Sequence, residues 1–301
     1  MKSKILIVVM GVLGLFSVAD ALACYNWEPN CSSTCGTGST CIGNNSTGDY
    51  VWDFTSRGND STYGSWDFAS SPNGGPGVTA SAWQNSTWVM YGNDSNYGTG
   101  DLNQTKLTSW DNSGLGVGNE STSTYEHSVE NVHQIDSILL AFDDAVTLKQ
   151  VAMGWTYNDY DFTIAAYKGA GAPDLDNLAY SALNAANGWT LIESHYDTDA
   201  HTSTTDAEIF DVNTGGVSSS YWLISALNTQ MGGTQDTTYK GWTKYDYFKL
   251  CAVSATPSGG GGTPSGEIPE PSVVSLLLTG LLFAGYMRMR KGSNEAMTLK
   301  A

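Results

Sequence analysis

The side chains in this sequence that can do chemistry are mostly carboxylates, and they form no recognisable catalytic pattern. The chain has 30 acidic residues and four histidines among 301 residues. It contains no Gly-x-Ser-x-Gly elbow, no His-Glu-x-x-His pair and no phosphate-binding loop ending in Lys. The carboxylates that could be paired across a sugar are Asp143, Asp144, Glu193 and Glu208. Because any acidic chain offers such pairs, the sequence predicts that the protein is not an enzyme.

Two aspartates after a predicted strand have the spacing of cation ligands. Asp159 and Asp161 are separated by one residue and follow Asn158 directly. Carboxylate and amide oxygens are the ligands that Ca²⁺ prefers in proteins. The alternative is an ordinary solvated turn, and both interpretations stay open at this stage. Apart from this Ca²⁺ site, the sequence predicts no metal and no cofactor.

The cysteines have the distribution of a disulfide-bonded region. Four of the five crowd a short N-terminal segment and one stands near the end of the apolar pattern: Cys24, Cys31, Cys35, Cys41 and Cys251. Their spacing lacks the Cys-x-x-Cys pairs of a zinc ribbon. In an exported chain the default is disulfide bonding. All five are therefore disulfide candidates, and the odd count leaves one thiol over.

The N-terminus has the pattern of a secretory signal peptide. Two lysines precede an apolar run over residues 5–18, and Ala21 and Ala23 stand just before Cys24. We expect cleavage after Ala23, which removes residues 1–23. Cys24 then begins the mature chain. It either takes a lipid, since Ala-Leu-Ala-Cys partly resembles a lipoprotein cleavage site, or remains an ordinary cysteine.

The charge of the chain excludes one class of partner. Acidic residues outnumber basic ones by 30 to 13, which gives a formal net charge of −17. Nucleic acids are bound through Lys and Arg clusters that displace counterions from the phosphate backbone. The sequence therefore predicts no nucleic-acid binding.

Residues 48–253 show short apolar or alternating runs separated by Gly, Asn, Asp and Ser, a pattern typical of β-strands joined by turns. Strands are predicted at residues 50–54, 78–83, 87–91, 137–142, 146–156, 162–167, 189–193, 208–212, 221–227 and 245–253. Residues 92–124 are almost all polar and are predicted to form a long loop without a core strand. Leu175, Leu178 and Leu183 follow Pro173 at helical spacing and predict one short helix. The expected fold is all-β, a jelly-roll-like β-sandwich with one short helix.

The regions on either side of this domain differ from it in composition. Residues 24–47 form a Cys-rich loop region, and residues 254–267 form a Gly/Pro/Ser linker. The last part of the chain has a Pro-Glu-Pro motif, an apolar stretch and a basic cluster. Its motif residues are Pro269, Glu270, Pro271, Arg288, Arg290 and Lys291.

The apolar stretch of this tail predicts a membrane anchor. Together with the residues just before it, the stretch reaches the roughly 17–25 residues that a helix needs to cross a bilayer. Positive charge after the stretch holds that end in the cytoplasm. The sequence predicts a single transmembrane helix within residues 268–291 and a cytoplasmic tail over residues 292–301.

This tail resembles the PEP-CTERM sorting signal. The resemblance implies that an exosortase, a membrane-embedded cysteine protease, recognises Pro269, Glu270 and Pro271. It implies that the protein is anchored in the inner membrane by its C-terminus, cut near this motif and passed to the cell surface or extracellular matrix. The ten residues after Lys291 depart from the family pattern, which ends almost directly after its arginines. The alternative is a permanent single-pass anchor.

The folded region resembles a related group. Segments such as Asp-Ser-Ile-Leu-Leu-Ala-Phe at residues 136–142, Gly-Trp at 154–155 and Asp-Tyr-Phe-Lys-Leu at 246–250 resemble the exosortase-dependent surface proteins of the XDP type. That group has no settled biochemical activity to carry over. The resemblance therefore bears on sorting and not on chemistry.

Aromatic residues suggest one ligand class. The chain has 10 Trp and 16 Tyr, and exposed aromatic rings on an extracellular β-domain can stack on sugars. Three tryptophans are predicted to fill the core: Trp155, Trp189 and Trp222. Three others, flanked by polar residues, remain open to a ligand: Trp66, Trp83 and Trp110. We therefore expect an exported surface or extracellular-matrix protein, structural or carbohydrate-associated, in an exopolysaccharide or biofilm layer. The alternative is a surface-displayed lectin or carbohydrate-active enzyme.

Overall fold

The computed structural model describes one part of the chain. The described residues are 33–34, 41–42, 49–70, 74–89, 98–118, 127–195, 201–204, 207–233 and 245–258. The chain divides into two compact units, Met1–Gly259 and Gly260–Ala301, and every described residue lies in the first. The predicted signal peptide and the sorting tail lie outside these residues. Among the described residues, no helix has the length and apolar character needed to span a membrane.

The described ranges contain seventeen β-strands. They are β1 (Ser33–Thr34), β2 (Cys41–Ile42), β3 (Tyr50–Asp53), β4 (Asp60–Thr62), β5 (Ser65–Phe68), β6 (Val78–Asn85), β7 (Leu102–Thr105), β8 (Leu107–Trp110), β9 (Gly114–Val117), β10 (Val129–Glu130), β11 (Asp136–Asn158), β12 (Phe162–Tyr167), β13 (Trp189–His195), β14 (His201–Thr204), β15 (Glu208–Asp211), β16 (Ser219–Ala226) and β17 (Tyr247–Pro257). Their ladders are antiparallel, as in the pairings of β11 with β6, β16 and β17. The prediction of an all-β fold is confirmed.

Strand β11 is 23 residues long and has different partners in its two halves. Its first half pairs with β6 on one side and β16 on the other. From Val146 onward it pairs with β17, and further along with β15 and β14. The sequence predicted two separate strands here, but the acidic pair Asp143 and Asp144 lies inside one continuous strand. Because β11 belongs to both halves, fifteen of the described strands join one sheet.

The two halves of the sheet share one apolar core. The ring of Phe162 on β12 lies 6.3 Å from that of Phe248 on β17, although these strands do not pair. Trp52 on β3 contacts Phe142 on β11 at 4.7 Å in an edge-on arrangement. All four side chains belong to the same buried cluster. The halves therefore pack against each other through their apolar faces, as the alternating strand pattern requires.

The polar stretch at residues 92–124 contains strands, so its prediction as a loop was wrong. Strands β7, β8 and β9 lie within it. Leu102, Leu107 and Leu115 are fully buried. At Gly116 an added Cβ would stand 1.8 Å from the carbonyl oxygen of His127. Glycine lets this strand pass close to a neighbouring backbone without contributing an apolar side chain, and hydropathy therefore misses it.

The short helix predicted after Pro173 was also wrong. The segment forms two single 3₁₀ turns, Tyr180–Ala182 and Ala185–Asn187. The amide of Leu102 donates a hydrogen bond of 2.7 Å to the carbonyl of Leu178. Asn177 has a φ of 63°, in the left-handed region. Leu175 and Leu183 are held by burial. The carbonyl of Leu178, which a helix would use for its own hydrogen bonding, is bonded to β7 instead.

Two further boundaries differ from the prediction. Residues 87–89 do not form a strand, and residues 90–91 lie outside the described part. Strand β17 continues to Pro257, past the predicted domain end at residue 253, because Val146 of β11 pairs with Pro257.

Replacing Gly116 by alanine tests the packing of β9. The new methyl group would overlap the carbonyl of His127, so we expect Gly116→Ala to lower the free energy of unfolding by at least about 1–3 kcal/mol. Thermal and urea unfolding of the full-length protein in mild detergent measure this loss. Gly215→Ala is the matched control, because nothing lies within 4 Å of its added Cβ. Equal stability of the two variants would contradict the close approach of β9 to His127.

Candidate functional site

Three buried aspartates converge at one end of the sheet, and we refer to Asp159, Asp161 and Asp246 as the acidic cluster. Their exposed fractions are 5%, 1% and 1%. Each offers one carboxylate oxygen, and these oxygens lie within 4.8 Å of one another. The first two follow β11 and the third precedes β17. The sequence singled out Asp159 and Asp161 but missed Asp246, which no local pattern connects with them.

Backbone and amide groups hold Asp246 in the cluster. Its amide donates a hydrogen bond of 2.9 Å to Oδ1 of Asn131, and Nδ2 of Asn131 donates to Oδ2 of Asp246. The amide of Asp161 donates to Oδ1 of Asp246 at 3.0 Å, and the amide of Leu227 donates to Oδ2 at 3.2 Å. Four separate chain segments thus meet at one carboxylate.

The surroundings of Asp246 destabilise the ionised form of its carboxylate. Burial raises the pKa of Asp246 well above its ordinary value, and the carboxylates of Asp161 and Asp159 raise it further. The amides of Asp161 and Leu227 act in the opposite direction. The three hydrogen bonds that reach the Asp246 carboxylate, from Asn131, Asp161 and Leu227, all donate to it. This pattern suits an anion, since a carboxylic acid would need an acceptor for its own proton. A bound cation, or a proton shared between carboxylates, would stabilise this buried group of negative charges.

The geometry of the acidic cluster fits a hard divalent cation. Two oxygens bound to one Ca²⁺ at about 2.3–2.6 Å stand at most roughly 5 Å apart, and the cluster meets this limit. Oδ1 of Asp246 accepts one hydrogen bond and keeps a second lone pair. The donor set contains only oxygens, which favours Ca²⁺ or Mg²⁺ over Zn²⁺. Asn158 ends β11, and its side chain lies outside the described part.

The remaining predicted site residues are only partly described. Cys251 on β17 is fully buried and disulfide-bonded. The other four cysteines all precede residue 42, and the side chain bonded to Cys251 is not among the described ones. Cys24, Cys31, Cys35 and the side chain of Cys41 lie outside the described residues.

Neither the predicted processing residues nor Asp143, one of the candidate glycosidase carboxylates, belongs to the acidic cluster. Ala21, Ala23 and the sorting residues from Pro269 to Lys291 also lie outside the described residues. Asp143 accepts a hydrogen bond of 3.0 Å from the amide of Gly77 and does not join the acidic cluster.

A buried lysine occupies the outward face of β17. Phe248 and Leu250 belong to the core, so Lys249 between them points to the opposite side of the sheet. Lys249 is 3% exposed. Its Nζ lies 4.2 Å from the ring centre of Trp155 and 5.6 Å from that of Trp110. Burial lowers the pKa of Lys249 from 10.5 to about 8.

Aromatic rings continue on both sides of this lysine. The ring centres of Trp110 and His127 are 5.4 Å apart. The rings of Trp155 and Tyr157 stack with their centres 6.2 Å apart and their planes at 10°. The centres of Tyr157 and Tyr247 are 5.7 Å apart. We refer to these five rings as the aromatic row. All except the buried Trp155 are half-exposed. Sequence reasoning left Trp110 open to a ligand and assigned Trp155 to the core.

The other tryptophans have different environments. Trp189 and Trp222 are buried, as expected for core residues, and Trp66 and Trp83 are 9% and 8% exposed. Trp88, which the sequence analysis did not single out, is 56% exposed and stacks on a histidine. A single exposed indole is common on protein surfaces and does not by itself indicate a site.

Comparisons with known proteins add little to this geometry. No protein-family model matches the sequence, and no curated protein matches it either. Among solved structures, CBM32-3 from a family 31 glycoside hydrolase of Clostridium perfringens aligns with 40% of this chain and 67% of that chain. The aligned residues are 14% identical and the TM-score is 0.25. A likeness this low defines neither the fold nor the ligand of the present chain.

The buried Lys249 predicts a stability that rises with pH. Its pKa of about 8 in the folded protein lies below the roughly 10.4 of an unfolded chain. The unfolded chain therefore binds the proton more tightly, and stability is gained as pH rises between these two values. Relative to Lys249→Met, the wild type should gain on the order of 2 kcal/mol from pH 7.5 to pH 10.

Urea unfolding of the full-length protein at both pH values measures this difference. Lys106→Met is the control, because Lys106 is half-exposed and also faces an aromatic ring, at Tyr63. A wild-type advantage over Lys249→Met that stays constant with pH would rule out a depressed pKa at Lys249.

Proposed function

We propose that this chain is an exported protein of the cell surface or extracellular matrix, sorted by an exosortase-type protease and structural or carbohydrate-associated in function. The observation that carries this proposal is the order of segments after β17. A Gly-, Pro- and Ser-rich linker is followed by Pro269, Glu270 and Pro271, an apolar stretch and a basic cluster. Membrane arrest requires the apolar stretch and the basic cluster after it, and processing requires an accessible motif before them. The signal for secretion is the N-terminal segment, residues 1–23.

The end of the described domain supports this proposal. The amide of Ser258 donates a hydrogen bond of 3.1 Å to the carbonyl of Ala145, and the first compact unit ends at Gly259. About ten residues of flexible composition then separate the last strand from Pro269. A protease can act on the motif without disturbing the strand pairing of β17.

The disulfide at Cys251 gives independent support. Disulfides persist in oxidising compartments and are rare in the cytosol. Cys251 is fully buried in its strand, which suits a structural bond rather than a redox switch. The two sheet halves around one core also support the finer assignment of the domain as a jelly-roll-like sandwich.

A surface-displayed lectin or carbohydrate-active enzyme is the alternative. It shares the same export and sorting route and differs in what the domain does to sugars. Release of sugars from a polysaccharide panel by the full-length protein would favour the enzyme. Retention without release would favour binding.

The acidic cluster supports a second proposal, that the domain binds Ca²⁺. The cation would balance the carboxylates of Asp159, Asp161 and Asp246. Burial, and then the charges of the other two carboxylates, raise the pKa of Asp246. It would also join the segment after β11 to the start of β17. Oxygen ligands and an extracellular location suit a Ca²⁺ site of modest affinity.

Intact mass of the mature protein tests processing. In cells that contain an exosortase, we expect loss of residues 1–23 and of the tail from near Pro269. Pro269→Ala should retain the tail, because the recognition motif is broken, whereas Pro264→Ala in the linker should be processed normally. A wild-type protein whose mass equals that of residues 24–301 would have kept its tail, and this result would contradict the exosortase assignment.

Calcium titration of the full-length protein in mild detergent, after treatment with EDTA, tests the cation site. With a Kd of about 10⁻⁴ M, typical of extracellular Ca²⁺ modules, free Ca²⁺ of about 5 mM should raise stability by about 2 kcal/mol. Asp246→Asn should lose this gain, while Asp144→Asn, on an exposed part of β11, should keep it. Equilibrium dialysis reports bound Ca²⁺ directly. No Ca²⁺-dependent gain in the wild type, or the same gain in Asp246→Asn, would overturn the proposal.

A further inference from the structure

Lys249 and the aromatic row form a surface that core packing does not explain. The core side of β17 is occupied by Phe248 and Leu250, whereas Tyr247 and Lys249 lie on the opposite side of the strand. Trp155 and Tyr157 of β11 lie beside them and stack on each other. Lys249 and Trp155 are buried on this side, at 3% and 7% exposure, while the other rings of the aromatic row are half-exposed around them. The sheet therefore carries a buried cation and partly accessible rings on the side that faces away from the core.

Among the described residues, no carboxylate pairs with the cation at the centre of this surface. Within the part of the chain that the structure describes, the Lys249 ammonium lies over two indole faces and makes no salt bridge or hydrogen bond. Burying an ammonium costs free energy unless it is paired. Cation–π contacts with Trp155 and Trp110 recover only part of this cost. An anionic group placed against Lys249 would supply the missing partner.

We propose that Lys249 and the aromatic row bind an acidic sugar, a uronic acid unit of a polysaccharide. This inference rests on the proposed carbohydrate association and names its ligand class and its site. A uronic acid combines the two features that the surface requires. Its pyranose ring presents an apolar C–H face that can pack on the half-exposed rings of Trp110 and Tyr157, and its carboxylate is attached directly to that pyranose ring.

The positions of the rings suit a sugar chain better than a small anion. Strand β11, with Trp155, lies on one side of β17, and β8, with Trp110, lies on the other side beyond β9. Tyr157 extends the row beyond Trp155. A small inorganic anion would contact the ammonium but is too short to contact the rings beyond it. Successive sugar units can contact successive rings while one carboxylate pairs with Lys249. The formal charge of −17 repels polyanions in general, so binding has to depend on this specific pairing rather than on bulk attraction.

Isothermal titration of the full-length protein in mild detergent tests the inference. The probes are tetramers of galacturonate, mannuronate and guluronate, with neutral tetramers of galactose and mannose as counterparts. EDTA is present throughout, so that Ca²⁺ at the acidic cluster cannot bridge the uronates. We expect at least one uronate to bind about 10-fold more tightly than its neutral counterpart, as one charge-assisted contact provides.

Variants separate the charge from the rings. Lys249→Met should lose this 10-fold preference while leaving weak neutral-sugar binding within about 2-fold. Trp110→Ala should weaken the binding of both sugar classes. Lys106→Met should change neither, since its ammonium lies over Tyr63 at another place. If Lys249→Met fails to fold by circular dichroism, Trp110→Ala, at a half-exposed position, still decides the role of the row.

Two results would overturn the inference. Equal binding of uronates and neutral sugars would remove the role of Lys249. No binding of any probe would mean that another part of the chain covers this face. Neither result affects export and sorting, because the mass of the mature protein tests those separately.

Discussion

The backbone ladder between the second half of β11 and β17 determines where both candidate sites form. Trp155 pairs with Lys249, and Thr156 pairs with Phe248. The same alignment brings Asp159 beside Asp246 in an isolated bridge just beyond the ladder. A slip of one residue would turn Lys249 into the core and Phe248 outward. The apolar side chains of β17 therefore determine the register. The register in turn places Lys249 beside Trp155 and Asp246 beside Asp159.

The two sites are consequently mechanically connected. Asp246 precedes Lys249 by three residues on one chain segment, and Trp155 precedes Asp159 by four on the other. A cation bound at the acidic cluster would hold the ends of both segments together. That constraint reaches the pair of Trp155 and Lys249 through consecutive ladder hydrogen bonds. Stability at one site and geometry at the other thus depend on the same few backbone contacts.

Much of the fold could be predicted from sequence, and the failures have physical reasons. Strand β12 was predicted with its observed bounds, Phe162–Tyr167, because its apolar run is local and continuous. Strand β9 was not predicted because two of its positions are glycines, which give no apolar signal. Glycine is needed there because the backbones of His127 and Leu250 approach too closely for a side chain. The leucines after Pro173 have helical spacing, yet contact with Leu102 decides their conformation. Local patterns identify strands with apolar side chains and miss strands whose fit depends on partners distant in sequence.

The candidate sites show the same limit more sharply. Asp159 and Asp161 could be recognised as a pair because they are adjacent, but only the fold adds Asp246 and Asn131, which meet across 115 residues of sequence. Lys249 stands between apolar residues and gives no signal as a binding residue in the sequence. Its significance comes from burial against two indoles on the outward face of the sheet. A buried cation and a buried group of anions, each opposed by desolvation, are costly features to retain for packing alone. The two proposed ligands, a metal ion at one site and a carboxylate at the other, would offset both costs by the same physical argument, an opposite charge supplied from outside the chain.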